Sequence, residues 1–327
     1  MSKGKVVVLG VNGHIGHAVA QAFVNAGWDV TGMARSDKHK TPGVRYVKGD
    51  SDSVEDMRRA IGDTEVVVNA LNMQYDQWFE GRMEAQMGRV LEAMGKTGKT
   101  MLFPGNIYNF AADSDVLTPE LPQNPPTPRG AVRVRVEQMF QDAAARGDLQ
   151  VIMLRAGDFY GPKVTGDWFD QVMMTSIKSR KVSLMGTAGV GHSWAYLPDL
   201  GRAFEALAAV RSTLGEFERF NFAGNHVTPE QMGAAIQNAA PVPLKIGRMP
   251  FIFLRAYGLV DPIVREVAKM RYIWKNPLRL TDPRLDALLG PDFNTPFDQA
   301  VAATVQPFFD RAGLEPQSSA NTLRSLA

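Results

Sequence analysis

Val6-Val7-Val8-Leu9-Gly10-Val11-Asn12-Gly13-His14-Ile15-Gly16 decides the fold of this chain. Four consecutive apolar residues read as a buried strand, the glycines as a tight turn, and the residues from His14 onward as a helix. Ile15, Val19, Ala22, Phe23 and Ala26 recur at helical spacing, Gly27 stands where that helix should stop, and Val30 to Ala34 resume a strand. Glycines at 10, 13 and 16 permit a tight turn, close approach of backbone N–H groups to a pyrophosphate, and contact between helix and strand. The βαβ unit therefore reads as a dinucleotide site. Gly10, Asn12, Gly13, His14, Ile15 and Gly16 surround the phosphates, with His14 filling the turn through its backbone. A glycine turn that holds no ligand is the alternative.

The second strand ends at Met33-Ala34-Arg35-Ser36, about nineteen residues after Gly16, where a carboxylate would hold the ribose hydroxyls of NAD. Arg35 cannot accept a hydrogen bond from a hydroxyl, whereas a guanidinium pairs well with a phosphate. This position predicts NADP(H) rather than NAD(H), with Ser36, Lys38, His39 and Lys40 able to thicken the phosphate site. A solvated basic loop is the other reading of residues 38 to 40. The third strand, Val44 to Val47, ends in Gly49-Asp50-Ser51. Asp50 is placed to accept from the adenine amino group, with Ser51 beside it, unless Asp50 serves only to cap the next helix. Ser53 and Asp56 already form a capping box there. After Glu65 to Val68, the groups Asn69, Ala70 and Leu71 line the adenosine side of the groove.

The chain has 327 residues, 45% hydrophobic and 21% charged, the balance of an ordinary globular protein with one large core or two smaller ones. A formal charge of +2, with arginines spread along the chain, indicates neither nucleic acid nor an anionic membrane as a partner. There is no cysteine, which excludes disulfides and thiolate nucleophiles, and five scattered histidines give a metal site little to build on. No signal peptide precedes the first strand and no apolar run is long enough to span a bilayer, so a cytoplasmic protein is expected. Met249 to Val264, broken by Arg255 and Asp261, reads as a packed helix.

Strand and helix patterns alternate to about residue 160. A helix is predicted over Asp76 to Met94, a strand over Thr100 to Phe103, a helix over Gly130 to Arg146 after the proline-rich stretch from Leu117 to Pro128, and a strand over Val151 to Leu154. The fold class is α/β: a Rossmann-type doubly wound parallel sheet over residues 1–160, with sheet contributions from about 190–225, and a smaller mixed α/β substrate region over 161–327. Phe220-Asn221-Phe222 is expected to return to the main sheet, and Thr228-Pro229-Glu230 to start a capped helix.

Five landmarks together resemble the extended short-chain dehydrogenase/reductase family, the NAD-dependent epimerase/dehydratase-like proteins, over nearly the whole chain. They are the glycine turn, Gly49-Asp50, Arg155-Ala156-Gly157-Asp158-Phe159-Tyr160-Gly161-Pro162, Trp194-Ala195-Tyr196-Leu197-Pro198-Asp199-Leu200, and the tail from Leu288 to Thr295. The resemblance implies a serine or threonine after the fifth strand and a Tyr-x-x-x-Lys pair on the next helix, where the tyrosine moves a proton and the lysine lowers its pKa. Here Pro104 stands at the hydroxyl position, and Arg129 and Arg133 replace tyrosine and lysine, within Pro126-x-x-x-Gly130-x-x-Arg133. Arginine does not deprotonate in the working range, so Arg129 cannot carry the proton. Arg133 remains able to hold the nicotinamide ribose or a phosphate. Its other reading is an exposed i,i+4 pair with Glu137.

Tyr108 is the best surviving proton donor, Asn106 can orient a carbonyl oxygen, and Tyr160 and His192 are further candidates near the crevice. A packed loop is the alternative for Tyr108 and Asn106. Asp158, where the family carries a neutral asparagine facing nucleotide-sugar phosphates, would repel a diphosphate unless Lys163 offset it. The expected function is an NADP(H)-dependent oxidoreductase of atypical mechanism acting on a small, fairly apolar carbonyl or hydroxyl substrate. The alternatives are a catalytically silent NADP-binding sensor and, ranked last, a nucleotide-sugar epimerase or dehydratase. A homodimer is a family expectation only.

Overall fold

The computed structural model describes residues 2–36, 41–163, 166–249, 259, 265 and 268–315. A seven-stranded sheet forms from β1 (Lys5–Leu9), β2 (Asp29–Ala34), β3 (Val44–Lys48), β4 (Val66–Asn69), β5 (Thr100–Gly105), β7 (Gln150–Arg155) and β11 (Phe217–Asn221). Its order is β3-β2-β1-β4-β5-β7-β11, and every pairing is parallel. The chain thus winds outward in one direction from β1 and then in the other from β4. That reversal opens a crevice at the strands' C-terminal ends, beside the glycine turn.

Side-chain alternation explains why the strand sequences are apolar throughout. Val7, Leu9, Val67, Met101, Phe103, Val151 and Met153 point into one core, and Val6, Val8, Val66, Val68, Leu102, Ile152 and Leu154 into the other. The first core is closed by α2 (Val54–Ile61), α3 (Arg82–Met94) and α4 (Pro128–Ala145). The second is closed by α1 (His14–Asn25) and α5 (Leu197–Ala209). Gly201 lets α5 sit against α1, since a Cβ there would lie 2.6 Å from the Ala18 carbonyl oxygen.

Beyond β7 the elements are short and mixed. β8 (Asp158–Tyr160), β10 (His192–Tyr196) and β12 (Asn225–Val227) form a three-stranded sheet. β9 (Lys181–Leu184) pairs with β13 (Lys245–Arg248), and β6 (Val116–Leu117) with β14 (Arg279–Leu280). Helices α6 (Pro229–Ala239), α7 (Tyr272–Lys275), α8 (Pro283–Leu289) and α9 (Phe297–Ala312) complete this smaller mixed α/β part. No helix among the described residues is long and apolar enough to cross a membrane.

The expected elements form with three informative differences. The helix predicted from Asp76 begins only at Arg82, because Glu80 (φ 59°) and Gly81 (φ 75°) are left-handed and separate it from a short 3-10 turn at Tyr75–Gln77. Helix α4 starts two residues earlier than predicted, with Pro128 in its first turn and the Thr127 hydroxyl accepting the Gly130 N–H. At α2 the Ser53 hydroxyl accepts the Asp56 N–H, but the Asp56 carboxylate accepts from the Asp50 N–H, tying the adenine loop to the helix. Phe220 and Asn221 do join the main sheet through β11, and Thr228 with Gln231 forms a full capping box. Most of the helix predicted over Met249 to Val264, and Lys38 to Lys40, lie outside the described residues.

Candidate active site

The glycine turn is compact because Gly10 and Gly16 carry no side chain. A Cβ on Gly10 (φ 81°) would lie 2.9 Å from the Ala70 carbonyl oxygen, and one on Gly16 would lie 2.3 Å from that of Gly10. The start of α1 is therefore drawn against the end of β1. Its cap, Gly13, offers no side-chain hydrogen bond, and the first turn carries no acidic residue. Helical N–H groups without such a partner, at the positive end of a twelve-residue helix, suit a phosphate. Asn12 donates to the Ser36 carbonyl at 2.7 Å and keeps a buried side-chain oxygen without a hydrogen bond, while Ile15 packs on the core behind. These residues fit a dinucleotide's pyrophosphate.

At the adenosine end, Asp50 is exposed at the close of β3, and its carboxylate accepts the Asp52 N–H at 3.0 Å. Ser51 accepts from Gln86 Nε2 at 3.2 Å, and Gln86 keeps a buried Oε1 with no hydrogen bond. Gln86, on α3, escapes sequence reasoning; its only signal is a polar group at an apolar helix position. Asn69 is fully buried, with its side chain directed to Met87 and to the Leu71 N–H. Asn69 therefore shapes the turn, and Ala70 and Leu71 lie partly exposed beside Gly10. Arg35 is exposed at the end of β2.

Tyr108 and Asn106 follow β5. The Asn106 side-chain oxygen accepts the Tyr108 N–H at 3.0 Å, and Gly130 brings α4 so close that a Cβ there would lie 2.1 Å from the Tyr108 carbonyl oxygen. The Tyr108 ring lies 6.4 Å from that of Trp78. Both arginines at the family's tyrosine and lysine positions stack on that same indole, Arg129 at 4.8 Å and Arg133 at 4.2 Å. Arg133 is therefore not in an exposed pair with Glu137. Glu137 is itself buried and binds Arg155 through two hydrogen bonds of 2.8 and 2.9 Å. Arg155 also donates to the Asn106 carbonyl, and Glu137 accepts from Asn109 and Gln123. This network fixes the loop that carries Tyr108. Glu137 is held below the usual glutamate range: burial opposes its charge, but the charge and hydrogen bonds of Arg155 outweigh it.

His192 and Tyr160 are held elsewhere. Tyr160 is 1% exposed, its hydroxyl accepts from Asn225 at 2.8 Å, and its ring packs on Phe169 and Tyr196. Burial, then the Asp199 and Tyr196 charges, push its pKa up, so it keeps its proton. His192 Nδ1 lies 3.1 Å from the Ile273 carbonyl oxygen and Nε2 lies 2.9 Å from Asp158. Asp158 also accepts from Trp274 Nε1 at 2.6 Å. Its charge is thus engaged within the protein and, against expectation, is not aimed at a diphosphate. Among the described residues no cluster of three or more potential ligands could hold a metal ion.

No curated protein sequence matches the chain. Several solved structures share its fold. MoeE5 in complex with UDP-glucose and NAD is 18% identical, with a TM-score of 0.73 over 94% of this chain and 99% of that one. UDP-glucose 4-epimerase from Brucella ovis in complex with NAD is 17% identical, with a TM-score of 0.72 over 95% and 99%. UDP-glucuronic acid 4-epimerase from Bacillus cereus in complex with UDP-glucuronic acid and NAD is 14% identical, with a TM-score of 0.72 over 94% and 99%. These comparisons overturn the expectation of NADP(H) and of a small apolar carbonyl substrate, and favour the epimerase or dehydratase reading that ranked last. The physical reason lies at Arg35: an exposed guanidinium at a strand end permits a phosphate contact without requiring one. A model described as the NAD dependent epimerase/dehydratase family matches residues 6–223. The chain belongs to that family.

Proposed function

We propose that this protein binds NAD across the C-terminal edge of the sheet and acts on a nucleotide-linked sugar as an epimerase or dehydratase. The observation that carries the reading is the glycine turn at the sheet's reversal point, where the packing of Gly10 and Gly16 leaves an uncapped helix start for the pyrophosphate. Asp50 receives the adenine amino group, with Ser51 and Gln86 beside it, and Ala70 and Leu71 flank the adenosine. The family match and the sugar-nucleotide complexes of similar fold support the substrate class. In this reading the dinucleotide lies on residues 1–160, with sheet contributions from about 190–225, and the sugar nucleotide lies mainly against 161–327.

Bound NAD supplies a hydride acceptor for a carbon bearing a hydroxyl. This chain's own task is to move the proton of that hydroxyl. Pro104, Arg129 and Arg133 occupy the positions where the family pattern has its hydroxyl, tyrosine and lysine, so the site is of an atypical kind. Tyr108 takes the proton role. Arg129 and Arg133, stacked on the neighbouring Trp78, keep permanent positive charge beside that ring and give up no proton of their own. The Asn106 amide orients the oxygen being formed.

Calorimetric titration with NAD, followed by NMR of UDP- and dTDP-sugars incubated with the NAD-loaded protein, tests this. Sub-millimolar NAD binding and a changed sugar spectrum are expected. Absence of NAD binding refutes the site, and NAD binding without sugar turnover refutes the catalytic assignment.

A further inference from the structure

The turn at Gly166–Asp170 lies against the start of α1. Asp167 Oδ1 is 2.6 Å from His14 Nδ1, on the first residue of that helix. Gly166 adopts a left-handed φ of 85° and donates its N–H to Asp170 Oδ2 at 2.9 Å. On the other side the turn is anchored in the smaller region. Trp168 packs edge-on against Trp274 at 5.3 Å, and the one-turn π-helix Phe169–Met173 buries Phe169 and Met173. Phe159 of β8 stands 6.0 Å from the imidazole. Two carboxylates beside a pyrophosphate would oppose its binding, because like charges repel most strongly where water is scarce. A cation between them and the phosphates removes the conflict.

We propose that the His14–Asp167 pair is a built part of the pyrophosphate site: an imidazolium at the head of α1 stands between the dinucleotide and the carboxylates of Asp167 and Asp170, and makes affinity depend on pH. The proposal rests on the NAD reading above and assigns to the His14 side chain a role that its place in the turn did not suggest. The Asp167 carboxylate stands beside Nδ1, and in the imidazolium Nε2 also carries a proton that a phosphate oxygen can accept. Among the described residues the charged groups that face His14 are Asp167 and Asp170; Phe159 is neutral, and His17, one turn on, is held by the Thr41 hydroxyl at 2.7 Å. Burial works against the imidazolium, but the contact with Asp167 and the charges of Asp167 and Asp170 outweigh it and raise the pKa above its ordinary value.

The cation exists below the His14 pKa, so NAD binds best at low pH. Affinity then falls as pH rises through that pKa, by up to about tenfold per pH unit until the higher pKa of the complex is passed.

The test is NAD calorimetry from pH 6 to 9 on the wild type, His14→Phe and Asp167→Asn, with NMR titration of the imidazoles in the unliganded proteins. Wild type should lose affinity across the range, His14→Phe should bind with a flat profile, and Asp167→Asn should bind more tightly than wild type at pH 9. The His14 resonance should titrate at lower pH in Asp167→Asn. A wild-type profile as flat as that of His14→Phe, or a His14 titration unmoved by Asp167→Asn, overturns the proposal while leaving the NAD reading intact. Failure of wild type to bind NAD at every pH overturns both.

Discussion

Glu137→Leu removes the carboxylate from a buried network and leaves its partners behind. Arg155 is 1% exposed, and two of its guanidinium nitrogens meet Glu137. The amides of Asn109 and Gln123 lose an acceptor as well. Breaking a buried ion pair from one side costs about 3–5 kcal/mol, most of it from the stranded charge. For a chain of this size about 2 °C of melting temperature accompanies each kcal/mol, so the melt should fall by about 6–10 °C. The partner change Arg155→Met, added to Glu137→Leu, removes the stranded cation and should recover more than half of the loss. The acid limb offers a second readout. Because the folded-state pKa of Glu137 lies below its unfolded value, its contribution is complete above the usual glutamate range and is lost as pH falls through the folded pKa. Glu137→Leu should flatten that part of the profile. Scanning calorimetry of the single and double variants between pH 3 and 8 measures all of this. A fall of less than about 2 °C in the single variant, or a double variant no better than the single, would refute the reasoning that this pair is a charge-compensated anchor for the Tyr108 loop.

Gly16→Ala places a Cβ 2.3 Å from the Gly10 carbonyl oxygen, so the turn must open; NAD affinity by calorimetry should drop at least about tenfold. Tyr108→Phe should lower sugar turnover by about a hundredfold or more with NAD affinity unchanged, and unaltered turnover would remove Tyr108 from the proton role. Asp282, 2% exposed, caps α8 by accepting the Arg284 and Leu285 N–H groups and also accepts the Asn221 N–H from β11. Asp282→Ala should cost about 2–4 kcal/mol in a denaturant melt, the sum of a lost cap and a buried N–H left without a partner.

What the residues determined by themselves was local. A run such as Val6-Val7-Val8-Leu9 admits one environment, a strand covered on both faces, and glycines at 10, 13 and 16 admit one kind of turn. The parallel sheet and the proposed dinucleotide site stem from that periodicity, and the replacements at Pro104, Arg129 and Arg133 from simple alignment of motifs. Tertiary structure decided what depends on partners far apart in the chain. Arg133 is open between a cofactor contact and a surface pair with Glu137 in the sequence, and in the structure it stacks on Trp78, in the segment that leads into α3. Asp158 looked like a charge aimed at the substrate until Trp274, more than a hundred residues away, met it in the core. His14 and Asp167 are likewise remote in sequence and 2.6 Å apart in space. Spacing along the chain encodes helices, strands and turns, because their hydrogen bonds are short-range. The charge state and accessibility of a side chain are set by whatever the folded topology brings beside it.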